Sequence, residues 1–183
     1  MAMLREGLAP TVSHEAVGER SGIAARTVYR HFPTRGDLVA ALWARLRDET
    51  GTRWPMAEAD IAPAVRAQFA QFEKHEKFVR ASMAASATAD YREHGFAEGR
   101  AAFQQALATV TRDLSPTERR RLVAICVAMY SAPFWQMLRD RGKLSGEEAR
   151  EAAATALEAV ISAAKARAGV RKSAQTDRKE TRP

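Results

Sequence analysis

The sequence predicts an all-α fold, built as a short N-terminal head on a larger helical body. Three observations lead there. Alanine-rich segments with apolar residues three and four positions apart recur along the chain, which is the spacing of an amphipathic helix. Alternating runs of Val, Ile, Thr and aromatic residues bounded by turns, the mark of strands, do not occur. Helix stop and start signals punctuate the periodic segments: Gly95 in EHGF, Ser115-Pro116 followed by Glu118, and the stretch GKLSGEEA. At 183 residues the chain can bury one sizeable core, or can divide into a small head and a larger body.

The first predicted helix spans residues 13–20. Ser13 can cap it, Val12 and Val17 stand at the hydrophobic-staple positions, and Gly22 can take the left-handed conformation that ends it. The second spans residues 25–31, and a helical wheel sorts its side chains by role. Ala25, Val28 and Phe32 gather on one side, Arg26, Thr27 and Arg30 face away from it, and Tyr29 and His31 occupy the flanks. A helix this short is not stable alone, so its apolar side is expected to dock on Val17, Ile23, Leu38 and Leu42. Pro33 terminates it, and Thr34 with Asp37 forms a capping box for a third helix over residues 35–49, stopped by Gly51 and Pro55. Body helices are predicted at 60–75, 77–88, 96–113, 116–140 and 146–167, with Pro133 kinking the fourth of these. The expected domains are a head over residues 1–47, a body over 48–168, and a disordered basic tail over 169–183.

Charge supports this division. The formal net charge is +7, distributed as +3 over residues 1–47, −1 over 48–164 and +5 over 165–183. A basic head suits a polyanionic partner, although a solvated basic surface has the same signature. A stretch long and apolar enough for a membrane span is lacking, and MAMLREGLAP lacks the apolar run of a signal peptide, so a cytoplasmic location is expected. The single cysteine, Cys126 in LVAICVAMY, reads as a small buried side chain. Neither a Ser/His/Asp set nor a glycine-rich phosphate loop is present, and Glu147-Glu148 is the first-turn acid preference of a helix. No His, Cys or carboxylate set has metal-ligand spacing. An enzyme, a cofactor and a metal site are therefore not expected.

A turn glycine between two short helices, the second with an arginine-bearing outer face, is the layout of a helix-turn-helix. Such a helix enters the major groove, where outward side chains meet base edges and flanking ones meet phosphates. An ordinary helical hairpin with a solvated face is the alternative.

The segment VSHEAVGERSGIAARTVYRHFPTRGDLVAALW resembles the DNA-binding signature of TetR-family (tetracycline-repressor-like) transcriptional regulators, most specifically in TVYRHFPTRGDL, over residues 8–47. The resemblance implies a three-helix head, DNA contacts from its second and third helices, and a helical body that binds a small inducer. It also implies a homodimer formed through the last two helices, whose layout SAPFWQMLRDRGKLSGEEAREAAATALEAVI shares. On that basis Arg26 and Thr27 approach bases, and Tyr29, His31 and Arg35 grip phosphates of a double-stranded operator. Ser13 matches the family's helix start beside the DNA backbone, Ala25 is counted among the DNA-binding residues, and Arg30 stands where base or phosphate contact varies. The implied function is a ligand-responsive regulator, most often a repressor released from a palindromic operator. The alternative is a small-molecule binding or scaffold protein whose head does not grip DNA.

Three positions depart from the family pattern. Ala24 stands where a capping serine or threonine is usual, and Gly18 replaces a usual alanine at a cost of up to about 1 kcal/mol. The family's first helix should precede Gly7 by several turns, where this chain has six residues, so a truncated first helix is expected.

For the body, the expected inducer-lining residues are Phe72, His75, Met83, Tyr91, Phe103, Leu107, Tyr130, Phe134 and Trp135. His75, His94 and Tyr91 are the polar anchors among the candidates, with surface polar groups as the competing assignment, and the apolar members are equally suited to plain core packing. Leu122, Ile125, Val127, Met129 and Leu138, with Ala154, Leu157, Val160 and Ile161, are expected to form the dimer seam or, failing that, intrachain packing.

Overall fold

The computed structural model of the chain describes residues 13–51, 53–84 and 89–180. Among them the regular elements are helices: α1 (His14–Ser21), α2 (Ala25–His31), α3 (Arg35–Thr50), a 3-10 turn (Glu58–Asp60), α4 (Ile61–Lys74), α5 (Glu76–Ala84), α6 (Ala89–Ala106), α7 (Pro116–Met129), α8 (Ala132–Asp140) and α9 (Gly146–Glu180). The chain is all-α, as its periodicity predicts. It divides into two compact units, residues 1–53 with 71–98 and residues 54–70 with 99–183, so α4 and α6 each contribute to both. The first unit thus takes in residues 71–98 besides the segment expected to form the head.

In the first unit, α1 lies against α2, and α3 begins at the capping box that Thr34 and Asp37 form reciprocally. The Asp37 carboxylate accepts from the Thr34 hydroxyl and amide, and those bonds hold its carboxyl below the usual range. Gly51 ends α3 in the left-handed conformation, and Arg47 near that end pairs with Glu98 of α6.

In the second unit α7, α8 and α9 lie against one another. Ile61, Val65 and Phe69 of α4, Phe103 of α6, Cys126 of α7, Trp135 of α8 and Leu157 of α9 are buried almost completely. Around Tyr130 the rings of Trp54 and Phe103 stand 5.3 and 5.5 Å away, the second edge-on, and the Tyr130 hydroxyl donates to the Ala64 carbonyl at 3.4 Å. A Cβ at Gly99 would come within 2.9 Å of the Trp54 ring, so the bare backbone there admits the indole. On the surface, Arg66 bonds both oxygens of Glu151 and ties α4 to α9.

Three element boundaries differ from the sequence expectation. The single helix predicted over residues 116–140 is two helices, α7 and α8, bent by 59° at the break. Pro133 does not kink a continuous helix. It sits in the first turn of α8, where a missing N–H costs nothing, and Ser131 caps that turn by accepting from the Phe134 amide. The helix predicted over 96–113 starts earlier and ends at Ala106, after which turns run to Asp113. There the buried Thr111 hydroxyl donates to the Leu107 carbonyl at 2.9 Å, a local bond of the kind that competes with helix continuation. The last helix runs to Glu180, through the segment expected to be a disordered tail. Between Gly169 and Pro183 that segment contains no glycine or proline and is rich in Arg and Lys, so no strong breaker stops a helix already under way.

Cys126 is fully buried, and desolvation pushes its thiol up to about 12. The folded protein at pH 8 is therefore expected to resist iodoacetamide and aromatic disulfide reagents, reacting at one thiol per chain only when denaturant is added. Labelling in native buffer at the rate of a free cysteine would show that the α7 face is open.

Candidate nucleic-acid interface

The candidate interface is built on α1, the turn after it, and α2. Ser13 caps α1 through its hydroxyl, which accepts from the Ala16 amide at 3.1 Å. At the other end Gly22 adopts φ 69°, its amide donates to the Glu19 carbonyl, and the Ile23 amide donates to the Gly18 carbonyl at 3.0 Å. These two bonds form a Schellman closure, which ends α1 and sets the direction in which the chain leaves it. Val28, the inward residue of α2, is 5% exposed.

Gly18 therefore has a role that counting helix propensity misses. A Cβ at this position would lie 2.7 Å from the Ile23 carbonyl oxygen and 3.2 Å from the Ala25 amide nitrogen. The incoming chain crosses α1 so closely that only hydrogen fits. Ile23 also differs from expectation: its side chain is 48% exposed, and its amide makes the docking contact in its place. Ala24, as its chemistry dictates, provides no side-chain cap to α2.

A second clasp joins the two helices at their far ends. His14 is buried, and its Nε2 lies 2.7 Å from the carbonyl oxygen of Phe32, the residue that ends α2. A carbonyl only accepts, so Nε2 carries the proton. The His14 ring also stacks on Tyr29, with centroids 3.9 Å apart and planes 9° from parallel. The Tyr29 hydroxyl donates to Glu15 at 3.0 Å. The Glu15 carboxyl is held low by its own backbone N–H, then by Tyr29 and Ser13, while the Glu15 carboxylate raises the Tyr29 hydroxyl.

The candidate residues fall around this frame as follows. Arg26, Arg30 and His31 are exposed, Ala25 and Thr27 are half-buried, and Tyr29 keeps 44% of its surface open on the flank. Arg35 opens α3, and its side chain lies outside the described residues. Among the described residues no carboxylate pairs with Arg26 or Arg30, whereas Tyr29 is engaged by Glu15. Sequence reasoning missed His14 and Glu15. They stand one and two residues after the cap, in the first turn of α1.

The inducer candidates are distributed over both units. Phe103, Leu107, Tyr130 and Trp135 are buried in the second, and Phe134 is half-buried there. Phe72 is buried, and His75 and Met83 are half-buried, in the stretch that belongs to the first. The side chains of Tyr91 and His94 lie outside the described residues. A cavity of about 180 Å³ opens in the second unit, lined by Glu58, Ile61, Ala62, Glu158, Ile161 and Ser162 among others, and it includes none of these candidates. Among the described residues no group of three or more His, Cys, Asp or Glu side chains is placed to hold a metal ion. Among them also, no single helix is long and apolar enough to cross a membrane. Comparison with known protein families, with curated proteins and with solved structures finds no match to the chain.

The clearance at Gly18 makes Gly18→Ala informative. Propensity alone predicts a gain of about 1 kcal/mol in a helix interior. The close backbone approach predicts a loss of about 1–3 kcal/mol instead, the range of overpacking. Chemical denaturation followed by helical circular dichroism decides the sign.

Proposed function

We propose that this protein is a DNA-binding transcriptional regulator whose α2 is the reading helix. The observation that carries the proposal is the outer face of α2: Arg26 and Arg30 stand exposed opposite buried Val28, with exposed His31 on the flank, on a helix clasped at its start by the Gly18–Gly22 turn and at its end by His14. In the major groove, arginine suits the paired acceptors of guanine, and side chains on the helix flanks reach the phosphates. The resemblance of residues 8–47 to TetR-family regulators supports the same assignment.

The rest of the mechanism extends this reading. Two copies would present two α2 helices to a palindromic site, with half-sites about one helical turn apart. Ile125 of α7 and Met137 of α8 are 43% and 58% exposed, and they are apolar side chains that a second copy would cover. Ligand response would follow by population shift: an inducer that prefers one arrangement of the body changes the separation of the heads and so the affinity for the operator. Repression relieved by a small molecule is the proposed mode.

The test is a competition mobility-shift assay on the DNA flanking the protein's own gene, with random duplex as competitor. Arg26→Ala is expected to lose about 1–3 kcal/mol at particular base pairs while retaining affinity for random duplex. Equal losses on both DNAs would remove Arg26 as a base reader, and failure of the parent chain to retain any duplex at low salt would remove the proposal.

A further inference from the structure

We propose that Glu15 competes with a DNA backbone phosphate for the hydroxyl of Tyr29, and so holds down the affinity of the α2 face for duplex DNA. The inference rests on the reading of α2 as a DNA-binding helix and adds a residue that sets the strength of that binding.

The geometry is specific. Tyr29 projects from the flank of α2 beside the exposed Arg26 and Arg30, where an approaching strand meets it first. Its hydroxyl has one proton to donate, and that proton is directed at Glu15 Oε1, 3.0 Å away. The ring has little freedom to look elsewhere, because it lies flat against His14, and His14 is in turn tied to the Phe32 carbonyl. A phosphate oxygen that takes the hydroxyl must therefore displace the carboxylate and then sit beside it. Two anions within a few ångströms repel, and the loss of a bond to a charged acceptor adds to the cost.

Glu15 opposes phosphate constitutively. The groups around it favour its charged form, so the carboxylate persists at every pH at which it would encounter duplex DNA. Its exposure means that the restraint is electrostatic and local, and replacing it removes no core contact. Glu19, on the same helix, is also exposed and carries the same charge, but it makes no bond to Tyr29 among the described residues. It is the natural control for net charge.

The experiment uses the full chain and fluorescence anisotropy with two labelled duplexes, one of random sequence and one from the DNA flanking the gene. Glu15→Gln keeps an acceptor for the Tyr29 hydroxyl and removes only the charge. It is expected to tighten binding to both duplexes about 3- to 10-fold, the scale of one ordinary hydrogen bond's net contribution. Glu19→Gln is expected to change either affinity by less than about 2-fold, as a solvent-exposed charge does. In a Tyr29→Phe background the gain from Glu15→Gln should shrink to the size of the Glu19→Gln effect. Circular dichroism and denaturation midpoints equal to those of the parent establish that the fold is intact. Affinity of Glu15→Gln at or below that of the parent overturns the proposal, as does a gain that is undiminished in the Tyr29→Phe background. If the parent binds, Arg26→Ala weakens it and Glu15→Gln leaves it unchanged, this proposal alone falls. If no variant binds either duplex, the DNA reading falls with it.

Discussion

The N-terminal unit depends on one close approach, that of the chain after α1 to the backbone of Gly18. With 2.7 Å between the Ile23 carbonyl and the place a Cβ would occupy, the turn can fold back over α1 only because residue 18 has no side chain. The two Schellman bonds and the left-handed Gly22 then fix the exit direction of the chain, and α2 follows from it. A seven-residue helix with no side-chain cap has almost no stability of its own, so it inherits its position from this turn and from the burial of Val28. Gly18 and Gly22 act differently. One is required by space and the other by backbone conformation.

His14 completes the constraint at the opposite end. A single imidazole donates to the carbonyl that ends α2 and offers its face to Tyr29, so the first residue of α1 meets the final turn of its neighbour. The two clasps lie at opposite ends of a short helix, and together they resist both rotation and tilt. An arginine on a loosely held helix would lose conformational freedom on binding in addition to its own rotamers. On α2 the backbone part of that loss has already been met in folding, which is the form of preorganisation a reading helix needs.

Much of this was legible in the residues. The helix class, the Ser13 cap, the Gly22 stop, the Thr34-Asp37 box and the Ser115-Glu118 box each follow from local chemistry that acts within four residues, and each appears where that chemistry puts it. What escaped depends on distance in sequence. The His14 bond to Phe32 spans 18 positions, and the Trp54 ring over Gly99 spans more. Neither leaves a periodic trace. Ser131 shows a subtler failure: its cap and Pro133 form a local helix-start signal, but they lie inside an apolar run that reads as one long helix. Periodicity overruled punctuation there, and the 59° bend shows that punctuation should have prevailed.

The second unit solves its packing problem by a different route. Along α9, Ala149, Ala153, Ala154, Leu157, Ile161 and Ala164 are buried, at spacings that keep them on one side of the helix. Alanine in three of the first four places lets helix backbones approach closely, and the bulk that fills the core comes instead from Trp135, Phe103 and Phe69 on other elements. This allocation bears on association. The seam candidates Leu122, Val127, Ala154, Leu157 and Ile161 are buried within the single chain, which is the intrachain packing that stood as the alternative to a dimer seam. Among the described residues of these helices, Ile125 and Met137 are the exposed large apolar side chains, with Met129, Leu138 and Val160 half-buried.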